Sequence, residues 1–237
     1  MQNIIQKIEK TDWQTTAETM HQNGYAIVEN LLSDEQCEML KAEYNNSNLY
    51  RKTVVMERHR FGLGEYKYFN YPLPNIVQQI RTKMYPHLAP IANVWFKALK
   101  IDTKFPLNHA EFLEKCHKNN QKKATTLILK YGKGGHNTLH QDLYGDIYFP
   151  IQTVLFLNEP DKDYTGGEFV LTQQIPRAQS KVIVLKPKKG DLLVFTTNFK
   201  PERGTKDYYR VNMKHGVSEI HSGERYTLGI IFHDATS

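Results

Sequence analysis

Val211-Asn212-Met213-Lys214-His215-Gly216-Val217, a turn at Ser222-Gly223, then Arg225-Tyr226-Thr227: this stretch decides the fold. Two short β-rich runs joined by a glycine turn predict two strands. His215 lies on the first. Arg225 and Thr227 share one face of the second, because alternate residues of a strand point the same way. The same texture extends upstream, with β-rich runs over 125–131, 150–157, 167–172, 181–186 and 191–196. Turn signals such as Gly132-Lys133-Gly134-Gly135, Gly166-Gly167 and Lys189-Gly190-Asp191 separate them. Short strands at this spacing predict an all-β sandwich or jelly roll.

Leu139-His140-Gln141-Asp142 lies within the same half. If it continues a strand, His140 and Asp142 face one way, and His215 can complete a set of two imidazoles and one carboxylate. Such a set on one face of a metal leaves open positions, as in non-heme Fe(II) oxygenases. An arginine facing a barrel interior is costly unless an anion meets it. Arg225 can fork onto a carboxylate while Thr227 adds a hydroxyl, and 2-oxoglutarate would supply that carboxylate. An isolated H-x-D is a weak signal; the argument rests on its conjunction with a distal histidine and R-x-T ten residues on.

The other histidines carry less. His136 shares parity with His140 but follows a glycine-rich turn. His233 and Asp234 are adjacent, so in a strand they face opposite sides, and His233 can point inward as a pocket-floor residue. His221 sits in a turn. His21, His59, His87, His109 and His117 fall in the N-terminal half, where packing or solvent is the default. Phe61-Gly62-Leu63-Gly64 lacks the flanking strand and helix of a phosphate loop.

Residues 1–123 read mainly as helix. One helix runs from Asp12 to Asn23 and ends at Gly24, before a β-like Tyr25–Val28. A capping box at Ser33-Asp34-Glu35-Gln36 opens another, with Cys37, Leu40 and Tyr44 on one stripe. A block over Pro74 to Leu99 is expected to break or kink at Pro86 and Pro90, and a third helix covers Asn108 to Asn119. No linker or repeat divides the 237 residues. The expectation is one domain, with a helical part and lid over 1–123 and the catalytic core over 124–237.

Apolar residues make up 40% and charged residues 24%, which excludes a disordered or collagen-like chain. The net charge of +6 permits an acidic partner without demanding one. Cys37 and Cys116, with no CxxC, suit a reduced intracellular chain. No signal-like or membrane-spanning run occurs, so cytoplasm is the expected compartment.

These motifs resemble the Fe(II)- and 2-oxoglutarate-dependent dioxygenase superfamily over roughly 125–233. Leu139-His140-Gln141-Asp142 is similar to the metal motif of AlkB-type repair demethylases. Thr165-Gly166-Gly167-Glu168-Phe169 and the stretch from His215 through Thr227 look more like the prolyl-hydroxylase branch. The resemblance implies a double-stranded β-helix core and an iron held by His140, Asp142 and His215. It also implies 2-oxoglutarate on Arg225 and Thr227 with help from Tyr131, and O₂ as cosubstrate. Including Arg58-His59-Arg60-Phe61-Gly62 and Gly64-Glu65-Tyr66-Lys67-Tyr68-Phe69, the whole chain resembles a family of bacterial oxygenases labelled as acting on alkylated DNA. Two departures stand out. Leu129 replaces the asparagine that precedes the tyrosine in repair demethylases, and their arginine-rich C-terminal signature is missing.

Basic residues alternate with aromatics from Arg51 to Tyr71, a texture that suits a single-stranded nucleic acid; packing of a structural lid explains it as well. The connection 198–210 carries further charge and precedes the strand of His215. Candidate substrate residues are Arg58, Arg60, Tyr66, Arg203 and Arg210. Damaged or single-stranded nucleic acid, a peptide or small molecule to be hydroxylated, and a non-catalytic binding module are the alternatives.

Overall fold

The computed structural model describes residues 4–143 and 145–237. Local signals set the helices. After α1 (Ile4–Lys10), Asp12 accepts the Thr15 N–H and Gly24 sits in the left-handed region at φ 78°, so α2 (Trp13–Asn23) begins and ends at its caps. Ser33 and Gln36 form the expected capping box of α3 (Asp34–Ala42). The long α4 (Asn75–Ala98) and α5 (His109–Lys118) come next.

The strands are β1 (Tyr25–Val28), β2 (Tyr50–Val55), β3 (Gly62–Leu63), β4 (Glu65–Phe69), β5 (Leu127–Tyr131), β6 (His136–His140), β7 (Ile151–Phe156) and β8 (Tyr164–Gly166). They continue with β9 (Phe169–Gln174), β10 (Lys181–Leu185), β11 (Leu192–Thr196), β12 (Phe199–Arg203), β13 (Tyr208–Val217), β14 (Ile220–Gly223) and β15 (Arg225–Ile230). The larger sheet has the order β1-β11-β7-β15-β5-β4-β2. The smaller has β10-β9-β13-β6-β3 with β12 beside β13, and β8 pairs with β14 separately. The described strand ladders are antiparallel, and the two sheets face each other in the jelly-roll manner.

Strand parity divides the apolar residues between two layers. Val154, Phe156, Leu193 and Phe195 of the larger sheet meet Phe169, Leu171 and Met213 of the smaller. Ile151, Leu155, Val194, Leu228 and Ile230 point the other way, into a cluster with Val77, Ile80, Met84, Leu88 and Trp95 of α4. Each such side chain contributes about 1.5–3 kcal/mol by leaving water, so burial holds this helix layer in place.

Three segments differ from the sequence reading. Pro86 and Pro90 lie inside an unbroken α4. Both are exposed, so solvent can satisfy the carbonyls of Thr82 and Pro86 that lose their partners, while the buried face from Val77 to Phe96 keeps the helix continuous. Residues 50–69 contain β2 and β4, which extend the larger sheet past β5. Charge disguised these strands: Glu65 and Lys67 of β4 turn outward to bond the Tyr44 hydroxyl and carbonyl, while Tyr66 and Tyr68 turn inward. Residues 199–203, within the charged connection, pair with β13. Cys37 and Cys116 are buried free thiols, and no described helix is long and apolar enough to cross a membrane.

Candidate active site

β6 and β13 run antiparallel with His140 and His215 as Cα partners. Asp142 lies beyond the end of β6, so its position does not come from strand parity. Gln141 anchors the turn instead: its amide Nε2 donates to the carbonyls of Asn198 at 2.8 Å and Met213 at 2.9 Å. Asp142 Oδ1 then lies 3.5 Å from His140 Nε2, and Oδ2 lies 3.3 Å from His215 Nε2. One donor atom from each residue fits within 4.8 Å. Adjacent ligands on an octahedral ion at about 2.1 Å are about 3.0 Å apart, so this donor set fits one metal ion with little adjustment.

The tautomer of His140 is set by its neighbour. Its Nδ1 lies 2.7 Å from the Thr138 carbonyl, which can only accept, so Nδ1 carries the proton and Nε2 presents its lone pair. Burial and then His215 push His140 below the ordinary histidine pKa, with Asp142 opposing them, and the ring is held neutral. His215 stacks on Phe169 at 5.9 Å and meets Phe195 at 4.8 Å.

A cavity of about 260 Å³ runs from this triad between the sheets. Arg225 and Thr227 line it from β15, and both are buried. Arg225 stands opposite Tyr131 in the β15–β5 register, its guanidinium carbon 5.7 Å from the Tyr131 ring centre and 5.3 Å from that of Phe156. Among the described residues no carboxylate meets its three nitrogens and none makes a well-formed hydrogen bond, the Tyr164 phenol standing near enough for a weak one. Ring contacts return about 0.5–2 kcal/mol each, whereas a buried unpaired charge costs several. The site therefore fits an anion. Space for the arginine depends on Gly167 at φ 66°, where an added Cβ would fall 3.1 Å from Arg225 Cδ and 2.1 Å from Ile220 Cδ1. Burial raises the Tyr131 phenol to about 12 against the pull of Arg225, so it stays protonated and can donate.

Tyr66 lines the same cavity, and exposed Phe61 stands at its edge. Arg58 and Arg60 are exposed beside Phe61, on and just after a short 3₁₀ turn. Arg203 and Arg210 line no wall of this cavity; Arg203 is exposed at the end of β12, and Arg210 lies 4.9 Å over the Phe199 ring. His136 turns its Nδ1 to the Gly134 carbonyl, outside the triad. His233 is buried and accepts the Phe149 N–H at Nδ1. His21, His109 and His117 bond to Trp95, the Phe232 carbonyl and Asp234 respectively. One inward residue escaped the sequence reading: Gln152, 5% exposed, whose Nε2 lacks a partner in the cavity wall. Counting back in twos along β7 from Phe156 would have found it.

Residues 64–235 match the model of a family, Oxygenase-NA, described as an oxygenase catalysing oxidative methylation of damaged DNA. Over 167 residues the chain is 43% identical to an uncharacterised protein of Mycobacterium tuberculosis, a match covering 70% of this chain and 72% of that protein. Among solved structures it resembles a prolyl-4-hydroxylase from Pseudomonas putida, with TM-score 0.56, 16% identity, and coverage of 92% of this chain and 97% of that one. It also resembles an oxidoreductase of the 2OG-Fe(II) oxygenase family from Burkholderia pseudomallei, with TM-score 0.56, 14% identity, and coverage of 96% and 95%. At these identities the likeness to the solved structures is one of fold.

Proposed function

The chain belongs to the Oxygenase-NA family of oxygenases, and on that premise we propose an Fe(II)- and 2-oxoglutarate-dependent dioxygenase that oxidises methylated, damaged nucleic acid. Arg225 carries the proposal: a buried guanidinium that no carboxylate meets among the described residues, in the cavity that holds the His140–Asp142–His215 set. A dicarboxylate with a 2-oxo acid at one end answers both features. Bound Fe(II) with 2-oxoglutarate and O₂ would supply the hydroxylating oxidant, leaving succinate and CO₂.

The protein's part is to bind and orient. His140 and His215 would offer their Nε2 lone pairs, and Asp142 a carboxylate between them. Arg225 would fork onto the far carboxylate, with Thr227 and the protonated Tyr131 as further donors from the same face. Tyr66 offers a ring to a flipped or single-stranded base, with Arg58 and Arg60 on the exposed turn before Phe61 for its phosphates. An oxygenase delivers oxygen and not a methyl group. Hydroxylation of an N-methyl group therefore ends in loss of formaldehyde, which is demethylation. Residues 1–123 and 124–237 would act as one catalytic unit.

The fold likeness to a prolyl-4-hydroxylase favours a second reading, hydroxylation of a peptide side chain. Succinate release separates the two. Methylated oligonucleotides should stimulate it well above unmethylated ones, with formaldehyde in equal amount. Stimulation by proline-containing peptides alone would establish the second reading instead.

A further inference from the structure

The larger sheet is wider than the smaller, and its overhang forms a second cavity. Past β5 it continues through β4 to β2, while the smaller sheet ends at β6 and the two-residue β3. In the β2–β4 register Lys52 stands opposite Tyr68, and Val54 opposite Tyr66. These residues, with Arg51, His59 and Phe61, border a cavity of about 350 Å³ that no carboxylate side chain lines among the described residues. Phe61, Tyr66 and Tyr68 also line the active-site cavity. One aromatic wall thus separates the triad from a basic ledge.

The cations on that ledge differ in what they already hold. Arg51 is committed: its guanidinium donates to the carbonyls of Ala124 and Ser237 and lies 4.8 Å from the Tyr68 ring centre. Lys52 is exposed and makes no hydrogen bond or salt bridge among the described residues. Phe61 is 44% exposed and stacks on His59 at 5.3 Å and 22°. A free cation beside an open ring pair, one ring away from a reaction centre, suits a stacked base and its phosphate.

We infer that this second cavity holds the nucleotide flanking the target base, with Lys52 on its phosphate and the Phe61–His59 pair against its base. The inference rests on the nucleic-acid reading above and adds a subsite to it. A substrate longer than one nucleotide would then span both cavities, its backbone passing the Phe61, Tyr66 and Tyr68 wall.

Binding without turnover tests this. A fluorescein-labelled single-stranded pentanucleotide with one central N-methylated base is titrated with metal-free protein by anisotropy, between about 50 and 200 mM salt. Lys52→Ala should weaken binding and flatten the slope of log K against log[salt] by about 0.7, the loss of one phosphate contact. Across that fourfold salt range this is a difference of roughly 2.6-fold. Phe61→Ala should weaken binding roughly 5- to 150-fold with the slope intact. Wild-type affinity and slope in Lys52→Ala, with the wild type binding the strand, would overturn the subsite and leave the nucleic-acid reading standing. A wild type that binds the strand no better than a polyglutamate peptide would overturn both.

Discussion

His140 and His215 are Cα partners across the β6–β13 ladder, with their ring centres 4.2 Å apart. The spacing of two metal-ligand candidates is therefore a property of backbone pairing, and only Asp142 depends on a turn. Gly216 sits at the irregularity where the register of that ladder shifts, between His215 and Val217. An added Cβ there would fall 2.6 Å from the Asn137 carbonyl on β6.

Gly216→Ala should push the two strands apart and displace His215 from His140. Metal affinity should fall by about 10- to 100-fold, the range for loss of a supporting contact around a metal, while the fold persists. Metal titration followed by tryptophan fluorescence, with circular dichroism as the check on folding, measures both.

Arg225 should show a conflict between stability and function. Arg225→Met removes a buried cation that meets no carboxylate among the described residues, a charge that is costly to bury, so the replacement should be neutral or stabilising. The variant should melt at or above the wild-type temperature in the absence of ligand, yet lose the stabilisation that 2-oxoglutarate gives the wild type. Thermal melts with and without 2-oxoglutarate read this directly. Arg225→Lys, which keeps the charge and loses the fork, should weaken 2-oxoglutarate binding by about 1.5–3 kcal/mol.

How far the sequence could be read depends on the kind of order each element has. The strands around His215 and Arg225 were legible because apolar alternation and glycine turns are local. The N-terminal strands β2 and β4 were not, since the charges of β4 bond to Tyr44 and Arg51 of β2 bonds to the Ala124 carbonyl, partners more than fifteen residues away. The i, i+2 argument for His140 and Asp142 picked two residues that the structure does bring together, but for an incomplete reason: the strand stops at His140, and the Gln141 amide anchors the turn that carries Asp142. The candidate substrate arginines were the least legible. Arg203 and Arg210 have the charge pattern of a mouth but lie toward the turn end of the β12–β13 hairpin, away from His215, and themselves line no wall of the active-site cavity.

Arg81 of α4 and Asp234 are fully buried and bonded at 2.8 Å; Arg81 also donates to the carbonyls of Ile231 and His233. Asp234 further accepts the Tyr71 hydroxyl. This ties the segment after β15 to the helix layer. Arg81→Met leaves the Asp234 carboxylate buried without its cation and should cost about 3–5 kcal/mol, read as a lower urea midpoint at unchanged m-value.

Acid should destabilise the fold through His109. Burial, and then Arg81, lower its pKa to about 3, against the pull of the Phe232 carbonyl and Asp234. Unfolded histidine titrates near 6.5, so between about pH 6.5 and 3 the unfolded state binds one more proton at this site. The stabilising difference is complete above about 6.5 and is lost as pH falls, at up to about 1.4 kcal/mol per pH unit. His109→Gln should flatten the fall in urea stability between about pH 6.5 and 4 by that amount. Parallel curves for the two proteins would mean that His109 does not titrate on unfolding.

The most direct test of the site is its anaerobic visible spectrum. Fe(II) and 2-oxoglutarate together, and neither alone, should give the wild type the weak charge-transfer band of a 2-oxo acid chelated to iron. Asp142→Ala should abolish the band, and Arg225→Met should require far more 2-oxoglutarate to produce it. A band of full intensity in Asp142→Ala, or its absence from metal-loaded wild type at saturating 2-oxoglutarate, would contradict the assignment of this cavity as the iron and cosubstrate site.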